Sequence, residues 1–190
     1  QYLYFDKPFI ERPGLGSTLF PSPSISNLAI CVSGVGVTKG FSCIITDTLP
    51  DLELIGKSQC FPLYYYEERP KQSPTLFDIP GESEYIRRDG VSDFILGRAR
   101  QQYGPRVTKE DIFYYVYGLL HSPAYRTAFT DDLKKMLPRL PLVDEPRAFW
   151  QFSKAGRQLA KLHIHYESRP PCPGVQVSGT ESGFFRVEKM

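Results

Sequence analysis

No run of about 18 apolar residues occurs in this chain, so no stretch of it reads as a membrane-spanning helix. A strong charge of either sign is missing too: 23 Lys and Arg stand against 21 Asp and Glu, a net of +2. That balance does not announce a nucleic-acid partner, which would require local clustering of Lys and Arg. The four cysteines, Cys31, Cys43, Cys60 and Cys172, form no CxxC pair. His163 and His165 have no third ligand at finger-like spacing. On a helix they would lie about 200° apart, where they cannot share a metal ion. The glycine-rich stretch "SGVGVTKG" (33–40) is neither a GxxxxGK[ST] phosphate loop nor a GxGxxG turn before a helix. No Asp or Glu pair offers a clear general acid and base, and there is no internal repeat.

What is present suits a folded unit. Hydrophobic residues make up 41% of 190 positions and aromatics 14%, enough for a core in one domain or one large piece of a bigger protein. Seventeen prolines and twelve tyrosines point to many loops with aromatic contacts. The chain opens on "QYLYFDKPF", with no initiator Met and no secretory pattern, and closes on the strand-like "FFRVEKM". We read it as a fragment excised from a longer polypeptide. Three cysteines sit in apolar, strand-like runs, as small buried hydrophobes do, and reduced thiols are expected. A disulfide between Cys31 and Cys43 across a hairpin stays open.

Residues 1–66 read as β-rich. Two β-rich runs within 28–47 flank the glycine-rich tip and predict a hairpin; "LELI" and "QCFPLYYYEE" follow as short strands, with Pro62 marking an irregularity. "ERPGLGSTLFPSPSISN" reads as an ordered loop. Residues 67–106 form a variable insert, in which "VSDFILGRARQQYG" has helical spacing ending on Gly104. From Thr108, a helix N-cap, the chain turns helical through 107–168. Ser122, with Pro123 behind it, caps a second helix with a face of Tyr125, Ala128, Phe129, Leu133, Met136 and Leu137. Asp144 is expected to cap a third, whose stripe is Phe149, Phe152, Leu159, Leu162 and Tyr166. Residues 174–190 return to strand as the start of a truncated β part. The predicted fold class is α+β: a mixed or antiparallel sheet with a helical hairpin and one long helix packed on it.

His121 and Ser122 invite a catalytic reading. Adjacent helical residues do not face each other, however, and Ser122 is needed as a cap, so both belong to the frame. The glycine-rich tip stays open between a flexible turn and a loop that enters a nucleic-acid groove with Lys39 on a phosphate. Residues 87–109 hold six cations against two acids, a local net of +4. Gln101, Gln102 and Tyr103 are interleaved there. Arg and Gln are the side chains that bind guanine and adenine edges bidentately.

Two long motifs, "EDIFYYVYGLLHSPAYRTAFTDDLKKMLPRLPL" and "FWQFSKAGRQLAKLHIHYE", then add an identity. They resemble the C-terminal region of type ISP restriction-modification enzymes and related adenine-specific DNA methyltransferases. "LYFDKPFIERPG", "NLAICVSGVG", "FSCIITDTLPDLELI" and "QCFPLYYY" resemble the same region in the same order. The resemblance implies a target recognition domain within a polypeptide that also carries nuclease, translocase and S-adenosylmethionine-dependent methyltransferase parts. The methyltransferase motif NPPY is absent, as is a glycine motif for S-adenosylmethionine, so this fragment is expected to be non-catalytic. Its implied partners are double-stranded DNA and the methyltransferase, helicase or nuclease domains of the same chain, with no membrane and a cytoplasmic setting. Its implied task is to present an adenine that the methyltransferase flips from the stack. The expected DNA-binding residues are Lys39, Arg87, Arg88, Arg98, Arg100, Gln101, Gln102 and Arg106. Rival readings are a docking domain that joins methyltransferase to translocase, with scattered basic residues, and a hydrolase built on His121 or His163.

Overall fold

The computed structural model describes residues 14–38, 40–69, 84–170 and 173–174. Its first element is a helix, α1 (Gly14–Leu19), where the sequence predicted loop. The helix end is held from outside: the Asn27 amide donates to the Leu19 carbonyl at 2.9 Å, satisfying a group that helix ends leave orphaned. The same amide donates to the Tyr64 carbonyl at 2.7 Å, and Asn27 Oδ1 accepts from Tyr64 N at 3.2 Å. One buried side chain thus ties three segments together.

The expected hairpin is β1 (Ala29–Val32) against β2 (Cys43–Thr46), and β3 (Gln59–Pro62) pairs on the other side of β1. All pairings are antiparallel. β1 is the middle strand and wholly buried, whereas β2 alternates, sending Cys43 and Ile45 inward. The register settles the thiols: Cys43 stands opposite Val32, while Cys31 stands opposite Cys60 with the sulfurs 3.4 Å apart. Cys31, Cys43 and Cys60 are free. The expected strand "LELI" is instead a turn. Asp51 Oδ1 accepts from Glu53 N at 2.7 Å, and Gly56 and Lys57 both take positive φ, as a turn closed by an Asp side chain does.

The chain breaks at Leu63 and re-forms as a two-stranded ribbon, β4 (Tyr64–Glu68) with β5 (Tyr85–Asp89). Helix α2 (Asp93–Tyr103) follows, capped by Ser92 and closed by Gly104 at φ 106. Ala99 and Tyr103 anchor it in the main core. Helix α3 (Lys109–Leu120) begins in a capping box in which Thr108 and Asp111 bond each other's backbone N–H. Ser122 caps α4 (Pro123–Ala128), as expected, but the second helix then breaks at Phe129 and resumes as α5 (Thr130–Lys135). Only Tyr125 and Leu133 of its predicted face are buried; Met136 lies beyond the helix end and Leu137 is 39% exposed.

An extended strap then returns across the core. Three tyrosine hydroxyls hold it: Tyr125 to the Arg139 carbonyl, Tyr115 to Pro141 and Tyr103 to Val143, at 2.8, 2.6 and 2.7 Å. Helix α6 (Pro146–Ile164) starts one residue later than expected. Pro146 holds Glu145 extended, so Glu145 rather than Asp144 is the N-cap, without a side-chain bond. Its buried line is Phe149, Ser153, Gly156 and Ala160, whereas Leu162 is 47% and Tyr166 67% exposed. Gly156 meets Gly118 of α3. The two backbones approach so closely that a Cβ on Gly156 would sit 1.9 Å from the Tyr114 carbonyl oxygen. Phe149 is stacked between Tyr103 and Tyr115, centroids 4.2 and 4.9 Å away. The architecture is α+β, with small antiparallel sheets beside a crossed helix pair. The strand readings at "QYLYF" and 174–190 fall outside the described residues, save Gly174.

Candidate nucleic-acid interface

The Arg and Gln cluster divides by helix face. On α2, residues 94, 98 and 101 recur at helical spacing on one side. Phe94, Arg98 and Gln101 are all exposed, and Phe94 is 70% so. Gly97 lies among them with nothing within 4 Å of where a Cβ would stand. Arg98 and Gln101 form no hydrogen bond or ion pair with a described residue. Arg100 and Gln102 occupy the flanks and are engaged: Arg100 Nε donates to the Val107 carbonyl at 3.0 Å, and Gln102 Nε2 to Val143 at 2.8 Å. Phe94 stands one turn before Arg98 on this face and is the most exposed large hydrophobic among the described residues.

The ribbon is different. Arg87 lies over the Tyr64 ring, 4.4 Å from its centroid, and Arg88 Nε meets Glu67 at 3.0 Å. Lys109 Nζ bridges Asp89 and Asp93 at 2.7 and 2.6 Å. These contacts consume much of the charge counted in the sequence. They also fix α2 to the ribbon and both to the start of α3. There Tyr64 Oη donates to Glu110, while Arg157 of α6 reaches Glu110 and Asp111 at 3.4 and 3.2 Å. Between these groups lies a shallow cleft of about 430 Å³, lined by Tyr64, Asp89, Arg100, Lys109 and Glu110 among others. With Asp89 paired to Lys109, Glu110 to Arg157 and Arg100 bonded to the Val107 carbonyl, the cleft works as a clamp.

Arg106 lies exposed after α2 and shares a depression with Trp150 of α6. Lys39 lies outside the described residues. The rest of its loop leaves β1 at the Val32 end, while the ribbon departs from the other end of the sheet, past Pro62. The base of the loop is packed: Gly34 N donates to the Gly56 carbonyl at 3.0 Å. Sequence reasoning missed Phe94, whose signal was its spacing from Arg98 and Gln101. It also missed Asn27, for which no local pattern exists.

Among the described residues no hydrolytic centre assembles. Ser122 Oγ accepts from Tyr125 N as a cap. His121 and His163 do pack together, rings 5.4 Å apart, and His163 Nδ1 forms a short hydrogen bond with Tyr117 Oη. Arg126 Nη2 donates to His121 Nδ1 at 3.3 Å. Burial, then the positive charges of Arg126 and His163, draw the His121 pKa down from 6.5 to about 4. Among the described residues no carboxylate joins them, and no three His, Cys, Asp or Glu side chains are placed to hold a metal ion. The Cys31 thiol is hydrogen-bonded to the Cys60 sulfur and buried, which pushes its pKa far above the range of a reactive thiol.

The depressed pKa has a measurable result. The unfolded chain binds the His121 proton more readily than the fold does, so stability is complete above the unfolded value of 6.5 and falls as pH drops towards 4. With the ring only half buried, we expect a loss of about 1–2 kcal/mol over that window. Melting at pH 7 and pH 4.5 checks this: His121→Gln should show a shallower drop than the parent. An equal drop would remove His121 as the cause.

Among the described residues, no helix is long and apolar enough to cross a membrane. A family model described as the type ISP C-terminal specificity domain matches residues 1–190. Several solved structures are similar. The ATP-dependent type ISP restriction-modification enzyme LlaBIII bound to DNA aligns over 90% of this chain at 34% identity and a TM-score of 0.72. A DrdV–DNA complex aligns over 90% at 33% identity and 0.75. A nuclease-deletion mutant of the type ISP enzyme LlaGI, in complex with a DNA substrate mimic, aligns over 84% at 32% and 0.62. The chain spans only 10 to 15% of the length of those proteins. No curated protein matches it.

Proposed function

The chain belongs to the type ISP C-terminal specificity domains, and on that premise we propose that it reads double-stranded DNA for a larger restriction-modification enzyme. The bases are read through the outer face of α2. The single observation that carries this is the split of the Arg and Gln cluster, with Arg98 and Gln101 unengaged beside exposed Phe94. Arg pairs with guanine O6 and N7, Gln with adenine N6 and N7, and an apolar ring can meet a thymine methyl. Arg106 adds a backbone contact. Arg100 and Gln102 position the helix, and Arg87 and Arg88 brace the ribbon. Catalysis lies elsewhere in the polypeptide: a methyltransferase domain using S-adenosylmethionine flips the target adenine, and translocase and nuclease domains complete a cytoplasmic phage-defence enzyme.

The test uses the full-length enzyme containing this chain. Its preferred DNA is selected from a random pool, then reselected with Arg98→Ala, with Gln101→Ala and with Arg100→Ala. Each of the first two should weaken the selected site by about 1–3 kcal/mol and relax one base position. Arg100→Ala should lower the melting temperature and leave the preferred site intact. An unchanged site after both Arg98→Ala and Gln101→Ala would overturn the assignment.

A further inference from the structure

Helix α6 carries Arg147, Lys154, Arg157 and Lys161, and no acidic residue, over the 19 residues of Pro146–Ile164. Arg157 is accounted for by Glu110 and Asp111. The other three recur every seven residues and therefore stand nearly in line. Gln151 and Gln158 fall between them, and His165 extends the line past the helix end. All six are exposed. A solvated helix face ordinarily mixes signs, with Glu four residues before Lys; here both signs appear only beyond the ends, at Asp144, Glu145 and Glu167.

The opposite face holds the glycine crossing. Gly156 is nine residues from Arg147, half a turn round the helix, and is locked against α3. The stripe is therefore presented on a rigid support. From Arg147 to Lys161 it runs about 21 Å at 1.5 Å per residue. At its start Trp150 flanks the line and shares a depression with Arg106. That brings the turn joining α2 to α3 alongside it.

We infer that this face of α6 lies along a DNA strand, with Arg147, Lys154 and Lys161 on phosphates spaced along it and Gln151 and Gln158 bonding phosphate or sugar between them. The partner is DNA rather than an acidic protein surface because the charges are single, evenly spaced and alternate with amides, the side chains that commonly bond phosphate oxygens. The inference rests on the DNA-reading role proposed above and assigns to α6 the sequence-independent part of it.

The experiment is DNA binding by the full-length enzyme across a salt series, using its own site and an unrelated duplex. Lys154→Ala with Lys161→Ala should weaken both duplexes alike, about tenfold or more near 0.1 M salt, and reduce the slope of log K against log salt by about 2. The preferred sequence should not change. Circular dichroism should show the fold intact, since both side chains are exposed. An unchanged slope and affinity would overturn the inference while leaving the α2 reading standing. So would an unchanged slope accompanied by loss of contact between this domain and its neighbours, which would make the stripe a protein-docking face. If wild-type enzyme showed no sequence preference at all, the reading role itself would fail.

Discussion

Gly156→Ala should destabilise this domain about as much as truncating a large core side chain. Alanine is the better helix former, so intrinsic propensity alone would stabilise α6 by about 1 kcal/mol. The crossing reverses the sign. The added Cβ would stand 1.9 Å from the Tyr114 carbonyl oxygen and 2.7 Å from Gly118 N, and both obstacles are backbone. Neither can swing aside as a side chain would. The helices must part, and parting them opens the Phe149 stack with Tyr103 and Tyr115. A cost of about 3 kcal/mol or more is expected for overpacking of this severity, which lowers Tm by roughly 6–12 °C in a chain of this size. Gly97→Ala is the control. It sits mid-helix in α2 with open space around it, so the same change there should raise stability slightly. Equal effects at the two positions would show that the close approach is not what matters.

The second large loss should follow Asn27→Ala. Asn27 is 4% exposed and joins the end of α1, the start of β1 and the start of β4. Alanine leaves the Leu19 carbonyl and both polar groups of Tyr64 without their partner. Each such buried group costs about 1–3 kcal/mol, so a total near 3 kcal/mol is expected even if water recovers part of it. Urea unfolding measures it as a lowered midpoint with little change in slope. Asn27→Asp is the informative companion. It keeps the oxygen that accepts from Leu28 N and Tyr64 N, loses both N–H donors and brings a charge to a buried site, so it should do no better than alanine. A shift under about 1 kcal/mol for both would mean the three segments are held by packing alone.

Much of the frame was legible. The Thr108 cap, the Ser122–Pro123 start of a helix and the β1–β2 hairpin depend on local chemistry, which sequence spells out. The long motifs carried the family. What could not be read depends on partners distant in sequence. α1 exists because Asn27 completes its end, and a loop composition hid it. Leu162 and Tyr166 were drawn into the stripe of α6, but Leu162 lies about 140° round the helix from Phe149 and Tyr166 lies beyond its last residue, Ile164. Asp144 looked like a cap because the reading weighed side chains above the restriction Pro146 puts on Glu145. The candidate site followed the same division. The Arg and Gln density was visible, but whether a given side chain faced out or bonded Val107 or Val143 depended on strap and core. The α6 stripe was in plain view as a helix without acids, yet its hydrophobic residues drew it into the scaffold.

The ribbon has a further consequence for how such a domain tolerates change. Glu68 stands opposite Tyr85 at its open end, and Arg69 N donates to the Glu84 carbonyl at 2.9 Å. The chain therefore departs towards residue 70 and comes back from residue 83 through neighbouring points, already joined. Closing a segment between such fixed ends costs only about 0.6 kcal/mol more for each doubling of its length. Whatever lies between can be lengthened, shortened or exchanged wholesale by recombination while the glycine crossing, the tyrosine-held strap and the caps stay as they are. Diversification in this fold need not be negotiated with stability one residue at a time.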